Sequence, residues 1–148
     1  GGDLTPLLPD EPAGRAFHEA MKAACDKHDQ HYYPKYKQWC DEYFYLPHRN
    51  EPRGEGGIFF DYMNTGDWER DFDFVKDVGR KTLEAVTTIV NPHKEMDWTA
   101  EEKDEQLLKR GRYVEFNLLW DRGTLFGIKT GGSTEAILMS MPPTVKWA

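Results

Sequence analysis

The chain has 148 residues, 39% hydrophobic, 30% charged and 14% aromatic, with a formal net charge of −7. That is one domain's worth of chain, enough for a single core. The negative charge argues against nucleic acid or an anionic membrane as the main partner, because phosphate binding wants the opposite sign. No apolar run of roughly 18 residues is present and no signal peptide pattern, so no membrane span is expected. Cys25 and Cys40 lack metal-ligand spacing and are too few for a disulfide framework. They read as free thiols in a reducing compartment. The start, Gly1-Gly2-Asp3, has no Met and reads as a processed or cleaved end.

Residues 1–11, rich in Gly, Pro, Asp and Leu, read as a loop. A helix is expected over 12–28, with Pro12 in its first turn and Phe17, Met21, Ala24 and Cys25 as its apolar stripe. His18 lies at the edge of that stripe, where a satisfied structural histidine is the plain reading. A second helix spans about 34–45, with Tyr36, Trp39, Cys40 and Tyr43 inward, and Pro47 ends it. His48 to Asp61 then packs a His, two Arg (49 and 53), two acids (Glu51 and Glu55) and three Gly (54, 56 and 57) ahead of Ile58-Phe59-Phe60. A polar loop entering a buried strand, Ile58 to Met63, is the layout of a site carried on a scaffold. For Arg49 and Arg53 two roles stay open: ion pairing with Glu51 or Glu55, or binding an anionic ligand.

Asn64-Thr65-Gly66-Asp67 is turn chemistry, with Asp67 a helix N-cap. The next helix, about 67–91, repeats Phe74, Val75, Val78, Leu83, Val86 and Val90 near a 3.6 period, and Pro92 stops it. Thr99 to Glu102 is a capping box for a charged helix over about 100–110, with Leu107 and Leu108 facing in. Tyr113 to Trp120 alternates, with Val114, Phe116, Leu118 and Trp120 on one face and Glu115 and Asn117 on the other. Asp121-Arg122-Gly123 reads as a reversal, 124–130 as a second strand, Gly131-Gly132 as a turn and 133–141 as a third strand. The expectation is an antiparallel meander with helices outside it, class α+β. The face bearing Glu115 and Asn117 is either solvated or the floor of a pocket. Asp121 and Gly123 suit an ordinary turn.

Three segments carry a further signal. YPKYKQWCDEYFYLPHRNEPRGEGGIFFD, RGRYVEFNLLWDRGTLFGIKTGG and ILMSMPP resemble, contiguously and in order, oxygen-dependent coproporphyrinogen III oxidase. The resemblance runs from about Asp3 to Trp147. It implies the oxidative decarboxylation of two propionates of coproporphyrinogen III to vinyl groups. The product is protoporphyrinogen IX, with O₂ consumed and CO₂ and hydrogen peroxide released, in haem biosynthesis. No organic cofactor is implied. A divalent cation, Mn or Mg, is associated with bacterial members.

The resemblance also assigns roles. Arg53 and Arg49 become candidates for propionate binding, Arg53 being the better match to the family's functional Arg. His48 matches a position linked to activity, and His18 and His48 together match positions linked to metal. Asp121 becomes the candidate acceptor of pyrrole N–H bonds, and Arg122 a carboxylate binder. Gly131-Gly132-Ser133 matches the substrate-binding turn, with Ser133 where the family usually has Arg. A homodimer through residues 113–148 is implied, as is a cytoplasmic location, or a mitochondrial one in a eukaryote. The chain corresponds to the C-terminal part of a single family domain whose fold is a large flat antiparallel sheet covered by helices. The N-terminal half, with its proton-donating His, is not in the sequence, so the 148 residues alone are expected to be inactive. The competing expectation is a non-catalytic piece that only binds tetrapyrrole or dimerises.

Overall fold

Apolar residues at helical spacing build the centre of the fold. In the computed structural model, which describes residues 1–6 and 11–147, α1 (Glu11–Asp26) buries Phe17, Met21, Ala24 and Cys25. α2 (Tyr32–Tyr43) adds Tyr36 and Cys40, and α3 (Trp68–His93) adds Phe74 and Val78. Tyr32, Tyr36, Phe60 and Phe74 form one aromatic cluster with ring centroids 5.0–6.0 Å apart. α1 packs on α3, and α2 packs on the short strand that follows the loop. The expected helices at 12–28, 34–45 and 67–91 are therefore present, with ends displaced by one or two residues.

Two details of α3 differ from expectation. Of its six periodic apolar residues only Phe74 and Val78 are buried, and Leu83 is 70% exposed. α1 covers a narrower face than the apolar stripe provides. Pro92 does not stop the helix but sits at its penultimate position. There the missing N–H removes a single ladder bond, and Lys94 N–H still closes the end on the Val90 carbonyl at 3.0 Å.

The strands are short and antiparallel. β1 (Gly2–Leu4) pairs with β4 (Gly56–Ile58) in the register Gly2↔Ile58, Asp3↔Gly57, Leu4↔Gly56. β2 (Tyr45–Leu46) pairs with β3 (Glu51–Pro52) as a hairpin. Residues 2–4 are thus a strand rather than loop, while the rest of that expected loop, 7–10, lies outside the described residues. The strand expected at Ile58 to Met63 begins earlier and ends at Ile58. Beyond it Phe59 N–H bonds the Tyr36 carbonyl on α2 at 3.0 Å.

Gly57 makes the first pairing possible, because a Cβ there would lie 2.1 Å from the Gly2 carbonyl oxygen. Gly57→Ala is expected to destabilise the chain by about 2 kcal/mol, the scale of overpacking, and to release β1. Urea unfolding measures the first effect, and hydrogen exchange at Leu4 the second.

The last third is helical, which corrects the expected meander. α4 (Ala100–Leu119), α5 (Arg122–Lys129) and α6 (Thr134–Leu138) follow one another and pack in succession. The capping box at Thr99 is formed, Thr99 Oγ accepting from Glu102 N–H at 3.1 Å while the Glu102 side chain accepts from Thr99 N–H at 2.7 Å. No Pro interrupts residues 100–119, and α4 buries three consecutive residues, Val114, Glu115 and Phe116, with Gly111 a turn before, which no two-fold alternation gives. The alternation of Val114, Phe116, Leu118 and Trp120 suits a period of two, but burial of Glu115 between Val114 and Phe116, with Leu118 and Trp120 exposed, breaks it. Leu107 and Leu108 are half-buried, as expected. Helices and small antiparallel sheets together keep the class α+β. Among the described residues no helix is long and apolar enough to cross a membrane.

Cys25 and Cys40 are both buried and free. Burial pushes each thiol up to about 12, so neither is a nucleophile.

Candidate functional site

The β2–β3 hairpin carries His48 and Arg49 at its tip. Asn50 adopts the left-handed region at φ 54°, and its side chain accepts from Tyr45 Oη at 2.7 Å. Arg49 N–H closes the turn on the Leu46 carbonyl at 3.0 Å. The tip meets α4 at Glu115, which is only 8% exposed. Arg49 grips that carboxylate with two donors, Nε to Oε2 at 2.9 Å and Nη2 to Oε1 at 2.6 Å. His48 Nε2 lies 2.7 Å from Oε2, and Arg112 Nη1 adds a longer bond to Oε1 at 3.4 Å. Arg112 Nε also bonds Glu51 at 2.8 Å, tying α4 to β3. The Arg49 bonds, with those of His48 and the charge of Arg112, outweigh burial and hold the Glu115 carboxyl down at about 2.

His48 is engaged on its other nitrogen too. Trp120 Nε1 lies 3.0 Å from His48 Nδ1, and the two rings stack at 5.9 Å and 23°.

Arg53 is buried, its side chain 7% exposed, and it pairs with Asp3 on β1. Its guanidinium carbon sits over three rings, 4.0 Å from the Phe44 centroid, 5.0 Å from Phe116 and 5.6 Å from Tyr113. Its Nε is buried with no hydrogen-bond partner among the described residues. The acid it meets is thus neither Glu51 nor Glu55. Glu51 holds Arg112, and the Glu55 carbonyl lies 2.8 Å from His18 Nε2.

Asp121 and Arg122 form a second constellation, on a helix start rather than a hairpin turn. Asp121 is the N-cap of α5, accepting from Thr124 N–H at 2.7 Å, and its other oxygen accepts from Tyr43 Oη at 2.9 Å. Burial pushes the Asp121 carboxyl up, but these hydrogen bonds and the charge of Arg53 bring it below its ordinary value. The Arg122 guanidinium lies 4.8 Å over the Tyr43 ring, and Arg122 N–H donates to Tyr43 Oη at 3.3 Å.

Gly131 and Gly132 terminate α5. Gly131 has φ 74°, Gly131 N–H bonds the Ile128 carbonyl at 3.3 Å and Gly132 N–H bonds the Gly127 carbonyl at 2.8 Å. That is the paired closure that glycine allows after a helix. Ser133 caps α6, accepting from Ala136 N–H at 3.4 Å.

His18 and His48 hold different partners. His18 Nδ1 lies 3.0 Å from Tyr33 Oη and its Nε2 2.8 Å from the Glu55 carbonyl. The carbonyl can only accept, so Nε2 carries the proton and Nδ1 takes the hydroxyl. The two histidines share no hydrogen-bond partner among the described residues. Nor does any group of three His, Cys, Asp or Glu among those residues have the arrangement to hold an ion. In this arrangement the pair does not fit a divalent ion.

The structure therefore gathers His48 and Arg49 on Glu115, and Asp121 and Arg122 on Tyr43, with Trp120 joining His48 to the chain just before Asp121. The sequence reading assigned no site role to Asp3, Tyr43, Arg112, Glu115 or Trp120. Only Glu115 left a trace, as a charge on a face that otherwise should be apolar.

Comparison with known proteins converges on one family. The coproporphyrinogen III oxidase family model matches residues 1–148. An oxygen-dependent coproporphyrinogen-III oxidase from Rickettsia bellii (strain OSU 85-389) is 60% identical over 148 residues, all of this chain and 53% of the relative. The same-named protein of Rickettsia akari (strain Hartford) is 60% identical over 147 residues, covering 99% of this chain and 53% of the relative. That of Rickettsia rickettsii (strain Sheila Smith) is 58% identical over 147 residues, with the same coverage. The chain spans about half the length of these curated relatives. Matched from its first residue to its last, the chain belongs to the coproporphyrinogen III oxidase family.

Proposed function

We propose that this chain is the C-terminal portion of a single-domain, oxygen-dependent coproporphyrinogen III oxidase. The observation that carries the reading is identity of 58–60% along the whole chain to proteins of that name. In each of two steps a propionate loses CO₂ and one β-hydrogen, leaving a vinyl group, while O₂ is reduced to hydrogen peroxide. The electrons come from the propionate itself, so no organic cofactor is required by the balance.

The chain's own residues support positioning of such a ligand. Asp121 stays ionised, accepting from Tyr43 Oη on one oxygen and from the Thr124 N–H on the other, with a further bond from the Thr124 side chain. A carboxylate oxygen has a second acceptor site, which suits a pyrrole N–H. Arg122 beside it supplies a cation for a substrate carboxylate. The turn at Gly131, Gly132 and Ser133 belongs to the same reading, as do Arg49, Arg53 and His48 around the hairpin, although the Gly131 and Gly132 N–H groups close α5 here. No step is assigned to a divalent ion, because the His18–His48 pair does not fit one.

A cytoplasmic location and a homodimer through residues 113–148 complete the proposal. Bacterial relatives support the first. Exposed Phe126, Ile128, Leu138 and Met139 on α5 and at α6 support the second. The half-length coverage favours one alternative, a piece that binds tetrapyrrole or dimerises without turnover.

Incubation with coproporphyrinogen III and O₂, followed by oxidation and protoporphyrin fluorescence, tests the activity. The whole protein is expected to turn over and the 148 residues alone are not. In the whole protein Asp121→Ala is expected to lower kcat/KM roughly a hundredfold. Its stability cost is about 1 kcal/mol, the scale of a lost N-cap. Near-normal turnover would reduce Asp121 to a helix cap.

A further inference from the structure

His48 is held from two sides by groups whose hydrogen-bonding capacities are unambiguous. An indole N–H can only donate, so Trp120 Nε1, 3.0 Å away, requires a lone pair on His48 Nδ1. An ionised carboxylate can only accept, so Glu115 Oε2, 2.7 Å from Nε2, requires a proton there. Both demands agree on one tautomer. We infer that Glu115 and Trp120 together fix His48 as its Nε2–H tautomer, and that Glu115 is the positioning residue for the His48–Arg49 tip.

This has a direct chemical consequence. Imidazole binds a metal through an unprotonated nitrogen. Here one nitrogen carries a proton aimed at Glu115, and the lone pair of the other is taken by Trp120. His48 can ligate an ion only by giving up one of the two bonds. Glu115 also spans both oxygens with the Arg49 fork, the geometry that fixes a guanidinium in direction as well as distance. Arg112, shared between Glu115 and Glu51, anchors the other side of the carboxylate. The charged groups facing the His48 ring are accordingly Glu115 itself and, through it, Arg49 and Arg112.

The catalytic meaning of this placement rests on the proposed oxidase reading. Through Glu115 the tip holds the His48 ring and the Arg49 guanidinium in one fixed orientation. Losing Glu115 frees the Arg49 fork and leaves the His48 ring held by Trp120 alone. The placement itself does not depend on turnover, so the two can be tested apart.

The experiment uses the whole protein with ¹⁵N-labelled histidine. The wild type is expected to show a pyrrole-like Nε2 and a pyridine-like Nδ1 for neutral His48, with a protected Nε2 proton signal. That proton signal is expected to vanish by exchange with water in Glu115→Ala and to survive in Glu115→Gln, whose amide oxygen still accepts. Trp120→Phe keeps the tautomer and shifts Nδ1 toward a nitrogen without a hydrogen bond, which guards against a folding defect in the first variant. Equimolar Mn²⁺ alone is expected to leave the wild-type His48 lines sharp. An Nδ1–H tautomer, a ring proton unchanged in Glu115→Ala, an unmoved Nδ1 in Trp120→Phe, or His48 lines erased by Mn²⁺ would each overturn the inference.

On the same samples Glu115→Gln is expected to lower kcat roughly tenfold or more, with a smaller change in KM. Unchanged kcat would overturn the positioning role. A wild type with the expected ring signals and no turnover supports the placement and defeats only the oxidase reading.

Discussion

Replacing Arg53 by Ala is expected to destabilise the folded chain by about 3 kcal/mol, within the range for breaking a buried ion pair. The guanidinium lies over Phe44, Phe116 and Tyr113 and ties the loop to Asp3 on β1. Truncation removes that packing, leaves Asp3 without its cation and opens a void between the hairpin and α4. Arg53→Met separates the two contributions, because a long apolar side chain keeps most of the ring contact without the charge. Asp3 is partly exposed and can be rehydrated. The Met variant is therefore expected to recover more than half of the loss, read as a shift in urea midpoint. Recovery no greater than that of Ala would assign the stability to the ion pair. A whole protein carrying Arg53→Met that folds normally but no longer turns over would place Arg53 on the substrate.

Glu115 is the second large effect, and pH exposes it. Its carboxyl is lowered from 4.5 to about 2 in the folded chain. A depressed acid binds its proton more readily when unfolded, so folding is favoured above the unfolded value. That contribution is full above about pH 4.5 and is lost as pH falls through about 2. Asp77, through Lys27 and His28, and Asp121, despite its burial, act in the same direction. The thermal midpoint of the wild type is therefore expected to drop on acidification, and Glu115→Gln is expected to flatten part of that drop. At neutral pH Glu115→Ala is expected to cost about 3 kcal/mol, since the Arg49 fork loses its carboxylate and Arg112 keeps only Glu51. A pH profile identical in Glu115→Gln and wild type would remove Glu115 from the acid limb.

What the sequence could and could not reveal follows from the range of each interaction. The stripes of α1, α2 and α3 were legible because the residues that pack together are neighbours at helical spacing. The N-caps at Asp67 and Thr99 were legible because the donor lies three residues on. The last third was misread because Val114, Phe116, Leu118 and Trp120 suit a period of two. What decides the helix is Glu115, whose burial needs Arg49 and His48 from 66 and 67 residues away. Asp3 was read as loop for the same reason, its partner Arg53 lying 50 residues on. Asp121, Gly131 and Ser133 had the right residue types for chain reversal, but they cap and end helices rather than join strands. The hairpin tip was legible as a polar, Gly-rich loop, and its chemistry became so only through resemblance.

The bare apolar side chains of α5 and α6 set the colloidal behaviour of this polypeptide. Met139 is 83% exposed and Phe126 69%, on a chain with net charge −7. At low ionic strength like-charged copies repel over tens of ångströms, about 30 Å at 0.01 M salt. Near 1 M that reach shrinks to about 3 Å, short enough for apolar faces to meet. Dilute buffer should therefore keep the 148 residues dispersed and concentrated salt should cluster them, the opposite of the salting-in on which handling of many acidic proteins relies. Light scattering across a salt series would register the crossover.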